Sequence, residues 1–195
     1  MIALKARDLV QWIFFLGLLG VLLFTDLGTE IKAGFQRFML HTGLFQPDLD
    51  EAPGSHAAAD FRLQLESFDG DRINLSDYKG QVVFINFWAS WCPPCLAEMP
   101  QIEKLYTELS GKGVKFFMVS LDKDPEKARQ LLAKKQYLFP AYQLAGALPS
   151  SYQVPSIPTT YVISPEGKIV FSKHGLADYG AQEFVDFLRA MTLNQ

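Results

Sequence analysis

The 195-residue chain carries 18 Lys+Arg against 21 Asp+Glu, a net charge of −3, which excludes the basic excess of a nucleic-acid-binding module. With 49% hydrophobic and 20% charged residues it is not a disordered chain. Its 2 cysteines are too few for a disulfide-stapled mini-domain or a four-cysteine metal site, which leaves one globular domain plus an apolar excess to be placed.

That excess comes first. Leu9 to Phe24 holds one polar residue, Gln11, and no charge. As a helix of sixteen to nineteen residues it reaches about 24–28 Å, just short of the ~30 Å hydrocarbon core of a bilayer. Lys5, Arg7 and the N-terminal amine precede it, with Trp12 near that end, so the N-terminus is expected in the cytoplasm and the rest outside. A cleaved signal peptide is the competing reading, but Phe24-Thr25-Asp26-Leu27 lacks the small residues of a cleavage site. A retained transmembrane anchor over 1–26 is therefore expected.

Leu27, Ile31, Phe35, Phe38, Thr42 and Phe45 recur at helical spacing, opposite Glu30, Lys32, Gln36 and Arg37. A helix lying on the bilayer and a stalk helix packing on the domain both fit this pattern. Gln46 to Ala59 mixes Pro, Gly, Ala and acid without a period, as a linker does. The division is thus 1–26 anchor, 27–59 amphipathic stalk and linker, and 60–195 globular domain. The last is nearly neutral, with 14 basic and 15 acidic residues.

Within that domain, Phe61, Leu63 and Leu65 alternate as in a strand before an Asp69-Gly70 turn. Gln81 to Trp88 is a continuous apolar run of β-formers, the mark of a strand covered on both faces. A helix over Cys95–Leu109, a second buried strand over Val114–Leu121 and a helix over Pro125–Lys135 capped by Asp124 follow. Thr159–Ile163 and Lys168–Ser172 flank a Pro-Glu-Gly turn as a hairpin, and Asp178–Thr192 closes the chain as a helix. The order gives an α/β fold with a mixed central sheet flanked by helices. Trp88, Phe87 and Phe84 read as core, Tyr106 and Tyr161 as packing, and His174 as a surface residue without a partner.

Chemistry concentrates in Trp91-Cys92-Pro93-Pro94-Cys95, between a buried strand and a helix. On the first turn of a helix, sulfurs three residues apart can come within bonding distance, about 2.05 Å. Unpaired N–H groups and about half a positive charge at the helix N-terminus favour a thiolate, lowering a cysteine from ~8.5 into the ~3.5–7.5 range. Cys92 is then the nucleophile and Cys95 the residue that resolves a mixed disulfide. Pro93 and Pro94 have no N–H to lose there and stiffen the ring. Half a zinc site, a purely structural disulfide and a pair of inert thiols are the alternatives. The first lacks paired partners among His41, His56 and His174, and the second gains little by closing so short a loop. No metal and no cofactor is expected.

Phe87-Trp88-Ala89-Ser90-Trp91-Cys92-Pro93-Pro94-Cys95 resembles the active-site stretch of the thioredoxin superfamily, and Ser156-Ile157-Pro158-Thr159-Thr160 its cis-proline loop. Pro100 matches the proline that kinks the family's active-site helix. The lead-in Asn86 to Trp91, Glu98-Met99-Pro100 and Val119 to Pro125 are similar to the membrane-tethered TlpA/ResA-type thiol-disulfide oxidoreductases. The resemblance implies a thioredoxin-like fold and places Ile157 and Pro158, with Trp91, on the substrate-docking surface; simple packing is the other reading of Trp91. Where cytosolic thioredoxins carry a buried aspartate, this chain has Asn86, which cannot titrate. The resemblance points instead to Glu98, one helical turn past Cys95, as the proton-transfer group; an ordinary exposed glutamate is its alternative.

The function expected is reduction of disulfides in exported proteins, apocytochrome c among the candidates, on the periplasmic or equivalent face. A membrane electron donor would recharge the pair. A peroxiredoxin-type thiol peroxidase and a tethered, non-catalytic module that binds thiol proteins are the competing functions.

Overall fold

The computed structural model describes residues 6–40, 45, 47 and 57–193. Most of the expected linker, with His41, Thr42 and His56, lies outside the described residues. Helix α1 (Ala6–Phe24) takes up the apolar run, and Thr25 separates it from α2 (Asp26–Leu40). The Thr25 hydroxyl donates to the Val21 carbonyl at 2.6 Å and accepts from the Gly28 N–H at 3.3 Å, closing one helix and opening the next. Among the described residues no helix is long and apolar enough to cross a membrane. The expected anchor is therefore found as a helix but not as a span.

Helix α2 packs on the domain, though not through its large apolar residues. Ala33 and Leu40 are fully buried, whereas Leu27, Ile31, Phe35 and Phe38 are each half or more exposed. Two polar contacts fasten it. Lys135 pairs with Glu30 at 2.9 Å, and Arg37 Nη2 donates to the Leu96 carbonyl at 3.3 Å. The second has a cause in the sequence. Pro100 lies inside the next helix and has no N–H to return to Leu96, so that carbonyl is left for an outside donor.

The domain is built on a seven-stranded sheet of order β2-β1-β5-β4-β3-β6-β7. The strands are β1 (Gln64–Ser67), β2 (Arg72–Asn74), β3 (Val82–Trp88), β4 (Val114–Ser120), β5 (Ala141–Leu144), β6 (Thr159–Ile163) and β7 (Ile169–His174). Strand β3 runs parallel to β4, and β4 to β5, while β6, β7 and the β1–β2 hairpin pair antiparallel. Helices α3 (Pro93–Leu109), α4 (Pro125–Lys135) and α5 (Gln182–Thr192) connect and cover it. The mixed sheet, the two buried central strands and the C-terminal hairpin agree with the sequence reading. Strands β2 and β5 are additions: three and four residues long, they have too short a pattern to stand out.

Every residue of β3 is buried, as its unbroken apolar pattern requires. Alternate side chains serve two cores. Val82, Phe84 and Trp88 join Met99, Ile102 and Leu105 of α3 and Phe184 and Leu188 of α5. Val83, Ile85 and Phe87 join Phe117, Val119, Tyr161 and Leu65 on the other face. Phe84 is central to the first, its ring packed on Phe116, Tyr179 and Phe184 at 5.2, 5.4 and 6.3 Å. Phe84→Ala should lower the unfolding free energy by about 3–5 kcal/mol, the cost of a large core cavity, read from the midpoint of urea unfolding at unchanged slope.

Candidate active site

Strand β3 ends at Trp88, and a short loop, Ala89 to Trp91, leads into α3, whose cap is Cys92. Pro93 and Pro94 occupy the first helical positions, where their missing N–H groups cost nothing. Cys92 and Cys95 are joined by a disulfide, with Cα atoms 5.3 Å apart. The inert-thiol reading is thereby overturned. The Cys95 N–H donates to Cys92 Sγ at 3.3 Å, so the capping sulfur is also the one that faces the positive end of the helix.

The two sulfurs differ in surroundings. Cys95 is fully buried, Cys92 is 3% exposed, and Trp91 beside it is 63% exposed. Trp91 is thus a surface residue, and the packing reading of it is corrected. The Ile157–Pro158 peptide bond is cis, as the resemblance implied. Its loop meets the disulfide directly: the Ile157 carbonyl lies 3.7 Å from Cys92 Sγ. Pro158 is buried in the loop, and the Gly175 N–H donates to its carbonyl at 2.7 Å.

Asn86 and Glu98 form a buried polar pair. Asn86 stands opposite Thr160 in the β3–β6 register, and its Nδ2 donates both to Thr160 Oγ1 at 2.9 Å and to Glu98 Oε1 at 2.8 Å. The Ala177 N–H reaches Glu98 Oε2 at 3.4 Å. Glu98 is fully buried, so its reading as an ordinary exposed glutamate is wrong. Burial pushes its carboxyl well above the usual range, against a lesser opposing pull from the Asn86 and Ala177 hydrogen bonds. Tyr179, also buried, is raised by burial and by the charge on Glu98.

Asp122 escaped the sequence reading as a site residue. Its carboxylate accepts from the Ser90 N–H at 2.8 Å, the Ser90 hydroxyl at 2.7 Å and the Ser120 hydroxyl at 2.8 Å. The Leu121 N–H donates to the Trp88 carbonyl at 2.8 Å. These bonds hold the loop that delivers Cys92. Its signal was positional: an acid just past β4, at the carboxyl ends of the parallel strands where sites gather. His174 is exposed as expected, yet it has a partner, Thr159 Oγ1 at 3.0 Å from Nδ1.

A strand-to-helix disulfide with the carbonyl of the residue before a cis-proline beside it is the geometry of dithiol exchange. The redoxin family pattern matches residues 52–183. The chain belongs to the redoxin branch of the thioredoxin superfamily and is of ResA type. It is 40% identical over 116 residues to the thiol-disulfide oxidoreductase ResA of Oceanobacillus iheyensis, 58% of this chain and 60% of that protein. With the ResA of Bacillus cereus strain ZK it shares 31% over 150 residues, 76% of this chain and 85% of that one. The crystal structure of StoA from Bacillus subtilis superposes with a TM-score of 0.54 at 26% identity, covering 72% of this chain and 99% of that one. This ResA-type chain is a thiol-disulfide oxidoreductase.

The Glu98 environment fixes a pH dependence. A carboxyl whose folded value lies above its unfolded value of ~4.3 binds its proton more tightly in the native state. Its favourable contribution is therefore present below about pH 4 and lost as pH rises through the folded value. Glu98→Gln, which imitates the protonated group, should match wild type near pH 4 and become progressively more stable than wild type above it. Urea midpoints measured across that range check the crossing.

Proposed function

We propose that this oxidoreductase works as a membrane-tethered reductase of disulfides in exported proteins, with Cys92 and Cys95 cycling between dithiol and disulfide. The observation that carries this reading is the asymmetry of the pair, a sealed Cys95 behind a Cys92 that borders exposed Trp91 and the Ile157 carbonyl.

In the reducing direction the Cys92 thiolate attacks one sulfur of the substrate disulfide, and the other leaves as a thiolate. Cys95 then gives up its proton and attacks Cys92 Sγ. The bond to the substrate breaks, its second thiolate leaves, and the Cys92–Cys95 disulfide remains. Two electrons have passed from the protein to the substrate. Glu98, one turn along α3 and made a stronger proton acceptor by burial, takes the Cys95 proton as a carboxylate when the ring closes and, as the protonated acid, returns it when the ring opens. Asn86 positions that carboxyl through its 2.8 Å hydrogen bond. Trp91 offers an apolar ring to the incoming chain, and the main chain around Ile157 and Pro158 offers it hydrogen bonds.

Tethering rests on α1. Trp12, Ile13, Phe14, Phe15 and Leu16 are consecutive and each at least 60% exposed, a surface that water does not favour and lipid does. Lys5 before it and Arg7 in its first turn orient the N-terminus to the cytoplasm and the disulfide to the outer face. Re-reduction there calls for a membrane donor of two electrons, and apocytochrome c is the narrower candidate among the substrates.

Cys95→Ala removes the resolving sulfur. Expressed in its native membrane, it should accumulate mixed disulfides on Cys92 that a small dithiol releases. Complete absence of reducible adducts on Cys92 would contradict the exchange mechanism.

A further inference from the structure

We infer that the groove between α2, the Trp91 loop and α4 is a docking site for acidic polypeptide flanking the substrate disulfide. The inference rests on the reductase reading and adds a charge preference to it.

The groove has a volume of about 680 Å³, and Leu27, Trp91, Leu96 and Leu131 supply its apolar surface. Lys127, Gln130, Leu131 and Lys134 line its α4 wall. They stand at i, i+3, i+4 and i+7, so one face of α4 is turned toward the groove with a lysine at each end, about 10 Å apart along the axis. Both lysines are exposed, and among the described residues neither has an ion pair. The groove's carboxylate, Glu30, is already neutralised by Lys135 at 2.9 Å. What is left is a cationic wall over an apolar floor, and Trp91, the neighbour of Cys92, lines the same groove.

An extended chain leaving Cys92 along this path covers the distance between the lysines in about three residues. Carboxylates on that segment meet Lys127 and Lys134, while an apolar side chain settles among Leu27, Leu96 and Leu131. A flat anionic lipid surface satisfies the lysines equally well but leaves the concave apolar floor unused. The polypeptide is therefore the better fit.

The test uses the full oxidised chain and synthetic peptides in which serine replaces the substrate cysteine, so that binding is read without chemistry. Three peptides carry acidic, neutral or basic flanks around a common apolar residue, and Trp91 fluorescence reports occupancy, with Trp91→Phe as the spectral control. The acidic peptide should bind about tenfold tighter than the neutral one, and the basic peptide weakest. Lys127→Glu with Lys134→Glu should reverse the order. In the unaltered chain, raising salt from about 0.05 to about 0.5 M should erase it, which needs no variant. Equal affinities for the three peptides would overturn the proposal. So would binding of phosphatidylglycerol vesicles that is lost in the double variant while the peptides show no charge order, which would assign the lysines to lipid. Reduction of hydroxyethyl disulfide by the wild-type chain, first reduced with dithiothreitol and freed of it, is scored separately. Its absence counts against the reductase reading alone.

Discussion

The junction between β3 and α3 is the constraint on which the site depends. A fully buried strand ends at a fixed place, and the helix that follows must begin within a few residues of it. Cys92 caps that helix and Cys95 sits on its first turn, so the spacing of the two sulfurs is a property of helix geometry. Asp122 ties the intervening loop to the end of β4, through Ser90 and Ser120, and so fixes where the helix starts. The disulfide is consequently presented just past the carboxyl end of a central strand, at a place that these bonds fix.

Beneath it lies a second constraint, electrostatic in kind. Among the described residues Glu98 has no ion pair; its partners there are an amide side chain and a backbone N–H. Such a site stabilises a neutral carboxyl more than a charged one, which strengthens the hold of its carboxylate on a proton it must take up and return. Asn86 fits here because it donates a hydrogen bond without adding a charge. An aspartate in its place would set two carboxyls together in a buried site and force one to keep its proton.

Much of this was legible in the residues. The apolar run of β3, the helix-start signal of Asp124-Pro125 and the Cys92-Pro93-Pro94-Cys95 spacing are local patterns with local causes, and each was found where expected. The buried state of Glu98 was not readable from its own turn of helix, because Thr160 and Ala177, far along the chain, complete its surroundings. Asp122 was hidden for the same reason. The packing of α2 was not legible either: its apolar stripe fitted a helix lying on a bilayer as well as one packed on the domain, and the domain is reached by Ala33, Leu40 and Arg37. That outcome follows from Pro100, whose missing N–H leaves a carbonyl on α3 for Arg37 to bind. No helical periodicity could report it.

The central claim is that one sulfur of the reduced pair is ionised and reachable while the other is shielded. Alkylation of the reduced chain by iodoacetamide, resolved by residue with mass spectrometry across pH 5 to 10, measures this directly. Cys92 should react at least about tenfold faster than Cys95, with a midpoint below the ~8.5 of a free thiol. Equal rates at the two sulfurs, both with midpoints near ~8.5, would contradict the account.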